Sequence, residues 1–218
     1  MKVIALNGSP RKKWNTATLL KHALDGAASK GAETELIHLY DYNYKGCISC
    51  FACKLKDGKS YGRCAVNDDL KPILDKVHDA DAIILGSPIY LGMPTGVIKS
   101  CIERLLFQYL TYIDANHSSL LKRSISTGLI YTMNVEQSLI EAKGYDRTLM
   151  GIEMIFKRCF GASETLMVTD TYQFDDYSKY ETSGLNEARK AQRKVEVFPE
   201  DCRKAFEMGV RFAGQCSI

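Results

Sequence analysis

The chain lacks any long apolar run. No stretch of its 218 residues approaches the roughly 18 consecutive apolar residues that a membrane-spanning helix needs. The first apolar run, residues 3–6, is followed at once by Asn7 and Gly8, and it is too short for the apolar segment of a secretory signal. These absences predict a cytoplasmic protein.

A strong net charge is also lacking. The chain has 29 Lys and Arg residues against 26 Asp and Glu residues, which leaves a formal net charge of +3. The basic residues do not gather into one long run, so nucleic acid is not favoured as a partner. Hydrophobic residues make up 45% and charged residues 25% of the chain, a balance typical of a globular protein. The length predicts one domain over residues 1–218.

Short apolar runs alternate with helical patterns along the chain. The runs predict five strands, at residues 3–6, 33–39, 82–85, 126–132 and 164–169. The helical patterns predict helices over residues 16–30, 68–78, 94–110, 146–160, 186–197 and 199–212. We expect an α/β fold with a five-stranded parallel sheet, because apolar strands separated by helices are buried on both faces. The long connection at about residues 40–66 predicts a Cys-rich loop insertion.

The helical patterns also assign positions to particular side chains. Asp68 is expected to cap the helix over 68–78. The helix over 186–197 is expected to carry a basic face formed by Arg189, Lys190, Arg193 and Lys194. The buried stripe of the helix over 146–160 is expected to consist of Leu149, Ile152, Ile155 and Phe156.

The loop between the first strand and the first helix, residues 8–18, is rich in hydrogen-bond donors. Backbone N–H groups at the positive end of a helix bind anions. Further donors are supplied by Ser9, Arg11, Asn15, Thr16 and Thr18. The patterns G-x-x-x-x-G-K-[ST] and G-x-G-x-x-G are both absent, which disfavours ATP and a Rossmann-bound NAD. The loop fits a ligand with a terminal monophosphate. The alternative is that it is an ordinary βα loop whose Asn or Thr caps the helix and binds no ligand.

A second loop, residues 87–94, follows the third predicted strand. In a sheet with the strand order 2-1-3-4-5, the loops after the first and third strands flank the point where ligands bind. Tyr90 offers an aromatic ring, and Gly92 permits close approach of the backbone. Taken alone, this segment is a turn with two prolines. Paired with residues 8–18, it predicts a site for a flat ring.

Four of the eight cysteines lie within 18 residues of one another, at Cys47, Cys50, Cys53 and Cys64. Because no secretory signal is expected, reduced thiols or metal ligands are favoured over disulfides. The C-x₂-C-x₂-C run is similar to the first three ligands of a ferredoxin-type [4Fe–4S] site. Zinc usually takes two separated C-x-x-C pairs. A cluster, a zinc ion and free or redox-active thiols remain alternatives. Cys101 and Cys159 fall in apolar helical patterns and are predicted core residues.

Together these motifs resemble the NADPH-dependent FMN reductase family of flavodoxin-like proteins, and in particular its iron–sulfur flavoprotein branch. The matching segments are residues 7–11 and 15–17, the four cysteines with Asp68 and Asp69, residues 87–90 with Met93, and Phe198-Pro199-x-Asp201. The likeness is weak across residues 135–185. The resemblance implies a flavodoxin-like three-layer sandwich.

The resemblance also implies which residues bind FMN. The phosphate would be held by Ser9, Arg11, Asn15, Thr16 and Ala17. One side of the isoalloxazine would be flanked by Pro88, Ile89, Tyr90, Leu91, Gly92 and Met93. The loop after the fourth strand, Thr132, Met133 and Asn134, would cover the other side. In iron–sulfur flavoproteins the gap before the fourth cysteine is shorter than it is here.

The implied function is an FMN-dependent oxidoreductase that passes electrons from NAD(P)H to a small-molecule or protein acceptor, assembled as a homodimer or homotetramer. A non-enzymatic electron carrier is the alternative, and a metal-stabilised interaction module without redox activity is a third hypothesis. Because the flavin carries the redox chemistry, no Ser-His-Asp or Cys-His set is required. The histidines, His22, His38, His78 and His117, are expected to be structural or solvent-facing.

Overall fold

Five parallel strands form the centre of the protein, in a computed structural model that describes residues 1–113 and 119–214. They are β1 (Lys2–Asn7), β2 (Glu33–His38), β3 (Ala82–Tyr90), β5 (Ile125–Thr132) and β6 (Gly161–Val168), in the order β2-β1-β3-β5-β6. A two-residue strand, β4 (Met93–Pro94), pairs antiparallel with the end of β3. Counted without β4, the order is 2-1-3-4-5, so the predicted fold class is confirmed.

Helices cover both faces of this sheet. They are α1 (Asn15–Ala28), α2 (Leu70–Asp79), α3 (Gly96–Phe107), α4 (Tyr145–Phe160), α5 (Glu187–Glu196) and α6 (Phe198–Gly214). Side chains alternate between the two faces of a strand. In β1, Val3 and Ala5 pack toward α1 and α6, whereas Ile4 and Leu6 pack toward α2, α3 and α4. None of the described helices is long and apolar enough to cross a membrane.

Helices α1 and α6 cross at two glycines. A Cβ atom on Gly209 would lie 1.8 Å from the carbonyl oxygen of Ala23. A Cβ atom on Gly26 would lie 2.0 Å from the carbonyl oxygen of Phe206. Real Cβ atoms do not approach other atoms this closely, so the two helix backbones pack directly against each other only because both positions lack a side chain.

Three details differ from the sequence-based expectations. The helix expected from residue 94 begins at Gly96, because Pro94 pairs in β4 and the hydroxyl of Thr95 accepts a hydrogen bond from the N–H of Ile98. Ile155 is 43% exposed, so its place in the buried stripe of α4 is wrong. Lys190 is 1% exposed and is not part of a solvated basic face.

Candidate functional site

A cavity opens at the carboxyl edge of the sheet. Its lining comes from four loops, with Ser9, Arg11, Trp14, Asn15, Thr16, Pro88, Ile89, Tyr90, Thr132, Met133, Asn134, Thr171 and Gln173. Ten of these thirteen residues are among the fourteen predicted for FMN. They converge because the carboxyl ends of parallel strands meet at one edge of the sheet.

The remaining four predicted residues do not line this cavity. Ala17 is 4% exposed and faces the core from α1. The turn between β3 and β4 carries Leu91 and Gly92, both at positive φ (51° and 83°), away from the cavity. Leu91 is fully exposed, and Met93 is 42% exposed. These three residues form the outer tip of the second loop.

The first loop is shaped by the buried side chain of Asn7. Its Oδ1 accepts a hydrogen bond from the N–H of Ser9 at 3.0 Å, and its Nδ2 donates to Nδ1 of His38 at 2.8 Å. The hydroxyl of Ser9 then accepts the N–H of Arg11 at 3.2 Å. This chain of local bonds fixes the backbone in front of α1.

The first and second loops are tied together at Gly8. Its N–H donates to the carbonyl of Gly86 at 2.8 Å, and its carbonyl accepts the hydroxyl of Thr95 at 2.7 Å. A Cβ atom on Gly8 would lie 2.6 Å from Cβ of Ile98. The absence of a side chain therefore lets the first loop pack against the start of α3.

The start of α1 is free of side-chain caps. Trp14 occupies the N-cap position, no described side chain accepts a cap hydrogen bond there, and the first turn has no acidic residue. The N–H groups of the first helical turn lack intrahelical partners. They are therefore available to an anion, at the end of the helix where the dipole is positive.

The loop after β6 closes over the first loop. Arg11 donates to the carbonyl of Gln173 at 2.6 Å and stacks its guanidinium on the ring of Trp14, 3.7 Å from the ring centroid. Asn15 donates to the carbonyl of Tyr172 at 2.8 Å. These contacts bring Gln173 to the cavity and pre-position Arg11 and Asn15.

Helix α5 contacts and holds the third loop, which follows β5 and carries Thr132, Met133 and Asn134. The ammonium of Lys190 pairs with Asp170 at 2.5 Å and lies 3.4 Å from the carbonyl of Asn134. The N–H of Thr171 donates to the carbonyl of Met133 at 3.0 Å. The buried ion pair therefore fixes the backbone that presents Met133 and Asn134.

Two buried polar atoms of the cavity residues have no hydrogen-bond partner in the described part of the chain. They are the indole N–H of Trp14, a donor, and Oδ1 of Asn134, an acceptor. Leaving a buried polar group unpaired costs about 1–3 kcal/mol. Such atoms are expected where a polar ligand supplies the missing partner.

A second cavity is lined by all four clustered cysteines. We call it the cysteine cavity; its other lining residues are Ile48, Phe51, Ala65, Val66, Arg104, Phe107 and Gln108. Cys53 is buried, Cys50 is exposed, and Cys47 and Cys64 are intermediate. Among the described residues, no three His, Cys, Asp or Glu side chains form a group that could hold a metal ion.

With both cavities described, the chain can be compared with known proteins. A family model described as NADPH-dependent FMN reductase matches residues 1–125. The chain belongs to the NADPH-dependent FMN reductase family. The relationship implied by the motifs is confirmed.

Curated relatives in this family are iron–sulfur flavoproteins. The chain is 44% identical over 104 residues to one from Archaeoglobus fulgidus, covering 48% of each chain. It is 43% identical over 104 residues to one from Methanocaldococcus jannaschii, covering 48% of this chain and 51% of the relative. The match thus spans about half the length of these curated relatives.

Solved structures of similar fold extend over nearly the whole chain. An NAD(P)H:quinone oxidoreductase from Methanothermobacter marburgensis has a TM-score of 0.68 at 14% identity, covering 97% of this chain and 96% of that one. An FMN-dependent NADH-azoreductase from Bacillus anthracis, in complex with FMN, has a TM-score of 0.64 at 14% identity, covering 97% and 99%. At these identities the likeness shows the fold alone.

In this member of the FMN reductase family, a buried arginine anchors the loop that carries the four clustered cysteines, residues 47–64, which we call the cysteine loop. Arg104 of α3 pairs with Asp68 at 2.6 Å and donates to the carbonyls of Lys45 and Val66, each at 3.2 Å. Its Nε lies 3.4 Å from Sγ of Cys64. Burial alone would raise the pKa of Asp68, but the hydrogen bonds from Arg104 outweigh it and hold that pKa below its ordinary value.

A lysine forms a second anchor of the same loop. Lys54 donates to the carbonyls of Phe107, Gln108 and Leu110 at the end of α3. A cation is favoured there by the negative end of the helix dipole. Burial raises the pKa of the neighbouring Cys53 thiol, although Lys54 opposes that shift. The cysteine loop is therefore docked on α3 by two cations.

Sequence reasoning missed three residues of the first cavity, and it missed the two polar residues of the second, Arg104 and Gln108. Trp14 lies inside the loop that was predicted to hold the phosphate, so its place at the cavity could have been predicted. Thr171 and Gln173 lie in an irregular loop, which carries no periodic pattern. Arg104 and Gln108 follow the helical spacing of α3, but nothing in the sequence shows that they face the cysteines. His117 and Cys216 lie outside the described residues.

Proposed function

We propose that this chain is an FMN-dependent oxidoreductase that takes electrons from NAD(P)H. The observation that carries the proposal is the pairing of an uncapped helix start with two unpartnered polar atoms in one cavity. A helix N-terminus alone fits many anions. A cavity that also presents a buried acceptor on Asn134 fits a phosphate joined to a flat polar ring.

The residues of the cavity fit the parts of FMN. Ser9, Arg11, Asn15 and Thr16 would surround the phosphate, and Ala17 would contribute through its backbone N–H. Pro88, Ile89 and Tyr90 would border one side of the ring, and Thr132, Met133 and Asn134 the other. The ring edge carries both N–H and carbonyl groups, so Oδ1 of Asn134 would accept from its N–H group.

When bound, FMN supplies the redox chemistry, because its ring accepts electrons from a reduced nicotinamide and passes them on. The chain's own residues bind and orient it. Burial raises the pKa of Tyr90, with a further contribution from Tyr40, so the phenol stays neutral at pH 7. Binding and orienting FMN requires no residue of the cavity to transfer a proton.

The enzymatic proposal is tested by steady-state oxidation of NADPH and of NADH, with FMN and a soluble quinone as acceptor. Turnover with at least one nucleotide is expected. Absence of turnover with both, together with rapid reduction of the bound flavin by a reduced ferredoxin, would contradict an enzyme and support an electron carrier. Absence of any flavin binding would leave the interaction module as the better account.

A matched pair of variants tests the location of the site. Thr16 is 2% exposed, and its hydroxyl lies 2.8 Å from that of Thr132. Thr16→Val is expected to weaken FMN binding about fivefold, the value of one neutral hydrogen bond. Thr148→Val removes a hydroxyl from α4, outside the cavity, and is expected to leave binding unchanged. Equal effects of the two would contradict the site.

We further propose that Cys47, Cys50, Cys53 and Cys64 hold a [4Fe–4S] cluster. The supporting observation is that all four thiols line one cavity. Zinc needs its ligands around one point, whereas a cluster spreads four thiolates over four irons. Iron and sulfide, about four of each per chain after anaerobic purification, are expected. A flavin spectrum without iron would contradict this proposal.

The acceptor is proposed to be a small molecule or a redox protein, and the assembly a homodimer or homotetramer. Leu91 and Met93 lie exposed at the outer tip of the second loop, next to the part of that loop that lines the cavity proposed for FMN, which we call the flavin cavity. A second copy would cover such an apolar rim. Sedimentation velocity at micromolar concentration tests this; a monomer with bound FMN would contradict it.

A further inference from the structure

Gln108 is a buried side chain with an unused donor. It follows α3, and only 2% of its surface is exposed. Its Oε1 accepts a hydrogen bond from the backbone N–H of Cys64 at 2.9 Å. Its Nε2 has no hydrogen-bond partner in the part of the chain that the structure describes.

The orientation of this amide is fixed by Cys64. Exchanging the oxygen and nitrogen of Gln108 would place its NH₂ group against the N–H of Cys64, donor against donor. The oxygen must therefore face Cys64, and the NH₂ group must face elsewhere. Leaving a buried donor unpaired costs about 1–3 kcal/mol. The group is expected to find an acceptor that the protein chain does not itself provide.

The surroundings of Gln108 point to sulfur as that acceptor. Gln108 lines the cysteine cavity together with all four thiols. Arg104, four residues earlier on the same side of the helix, already points Nε at Sγ of Cys64, 3.4 Å away. The ammonium of Lys54 is occupied by three carbonyls. Gln108 is thus a second N–H donor at the wall of the cavity, beside Arg104.

We propose that Nε2 of Gln108 donates a hydrogen bond to a sulfur atom of the group that the four cysteines hold. This inference rests on the proposed [4Fe–4S] cluster. One-electron reduction adds negative charge to the cluster and its sulfur ligands, and N–H donors stabilise that charge. Hydrogen bonds to the sulfurs are one of the factors that set cluster potentials. A donor at Gln108 would therefore raise the reduction potential of the cluster.

The test is an anaerobic redox titration of the cluster in the intact holoprotein, followed by electron paramagnetic resonance. Gln108→Glu keeps an oxygen for the N–H of Cys64 but removes the donor. Gln108→Leu removes the donor without adding charge. Both are expected to lower the potential, so that the ratio of reduced to oxidised cluster at the wild-type midpoint falls about tenfold, equivalent to 59 mV for one electron.

Gln192→Glu is the charge-matched control, because Gln192 lies exposed on α5. Its potential is expected to equal that of the wild type. Unchanged potentials in both Gln108 variants would overturn the inference and leave the cluster proposal standing. Loss of iron from both variants with FMN still bound would assign Gln108 to holding the loop, and would also overturn it. Wild-type protein without iron and sulfide would overturn the inference and the cluster proposal together.

Discussion

At the scale of single residues, the cavity proposed for FMN depends on a partly buried relay of hydrogen bonds from His38 of β2 to the first loop. His38 accepts the side-chain N–H of Asn7, and Asn7 in turn positions Ser9. Accepting at Nδ1 requires the neutral ring with its proton on Nε2. Protonation of His38 at Nδ1 would replace that acceptor by a donor and release Asn7.

The relay predicts a pH dependence of FMN binding. Burial, with a smaller contribution from Lys12, lowers the pKa of His38 below its ordinary 6.5. A group whose pKa is lowered by folding contributes stability that is present above the ordinary pKa and is lost as the pH falls through the folded-state pKa. We therefore expect FMN affinity to weaken on acidification from pH 7.5 to about 5.5.

His38→Asn supplies an acceptor that does not titrate, so its FMN affinity is expected to change less over the same range. The phosphate of FMN also titrates, with a second pKa of about 6, but it does so equally in both proteins. His78→Asn is the control, because burial also lowers the pKa of His78, which instead bonds Tyr109. Identical pH profiles for wild type and His38→Asn would contradict the relay.

Arg104 is the second residue whose substitution is expected to have a large effect, in this case on the free energy of unfolding. Its side chain is 1% exposed and its partner Asp68 is mostly buried. Removing one member of a buried ion pair typically costs about 3–5 kcal/mol. Arg104→Met is expected to lower the free energy of unfolding by about that amount in urea, measured on metal-free reduced protein.

Lys99→Ala is the matched control on the same helix, because Lys99 and Glu103 form an exposed pair at 3.1 Å. Pairs of this kind contribute about 0.3–0.5 kcal/mol. Losses of similar size in the two variants would show that Arg104 does not anchor the cysteine loop.

At the scale of elements, the close packing where α1 crosses α6 predicts how an uncharged substitution changes the free energy of unfolding. Gly209→Ala places a methyl group where the backbone of Ala23 now lies. Overpacking of this kind costs about 1–3 kcal/mol or more, and it is expected to separate the two helices. The free energy of unfolding in urea measures the loss.

Gly151 is the contrasting position, within α4 and with no atom within 4 Å of a Cβ placed there. Gly151→Ala is expected to stabilise the protein by up to about 1 kcal/mol, because alanine favours the helix. Stabilisation by both substitutions, in equal measure, would mean that helix propensity and not close packing decides the effect at Gly209.

The two central strands β1 and β3 could be predicted because burial on both faces gives each of them a continuous apolar run. Val3 to Leu6 and Ala82 to Leu85 are of this kind. The pairing of β4 with β3 could not be predicted, since a two-residue strand carries no period. Ile155 was misplaced because the inward side of α4 is set by Phe156, Cys159 and Phe160, which the apolar spacing alone does not separate from it.

At the scale of the whole molecule, the two cavities lie at opposite ends of α3. The flavin cavity borders Pro88 and Ile89, and Ile89 pairs with Pro94 just before that helix. The cysteine cavity borders Arg104 and Gln108 at its end. A helix rises about 1.5 Å per residue, so Arg104, eight residues beyond the first residue of α3, lies about 12 Å along the helix from its start. Each can therefore be changed by mutation without altering the lining of the other.

Three of the four loops around the flavin cavity could be predicted, because parallel strands bring their carboxyl ends together. The fourth loop could not be predicted. Its contacts from Gln173 to Arg11 and from Tyr172 to Asn15 join segments about 160 residues apart through backbone carbonyls, which every residue possesses. The buried ion pair of Lys190 and Asp170 could not be predicted either, because a lysine on a helix usually faces solvent.

The central claim is that the uncapped start of α1 binds the phosphate of a flavin. It is tested most directly by titrating flavin-free protein with FMN and with riboflavin, and following flavin fluorescence. FMN is expected to bind saturably, one per chain, and riboflavin at least about tenfold more weakly, because each charged hydrogen bond to the phosphate contributes about 1.5–3 kcal/mol. Equal affinities for the two flavins, or no saturable binding of FMN, would contradict the claim.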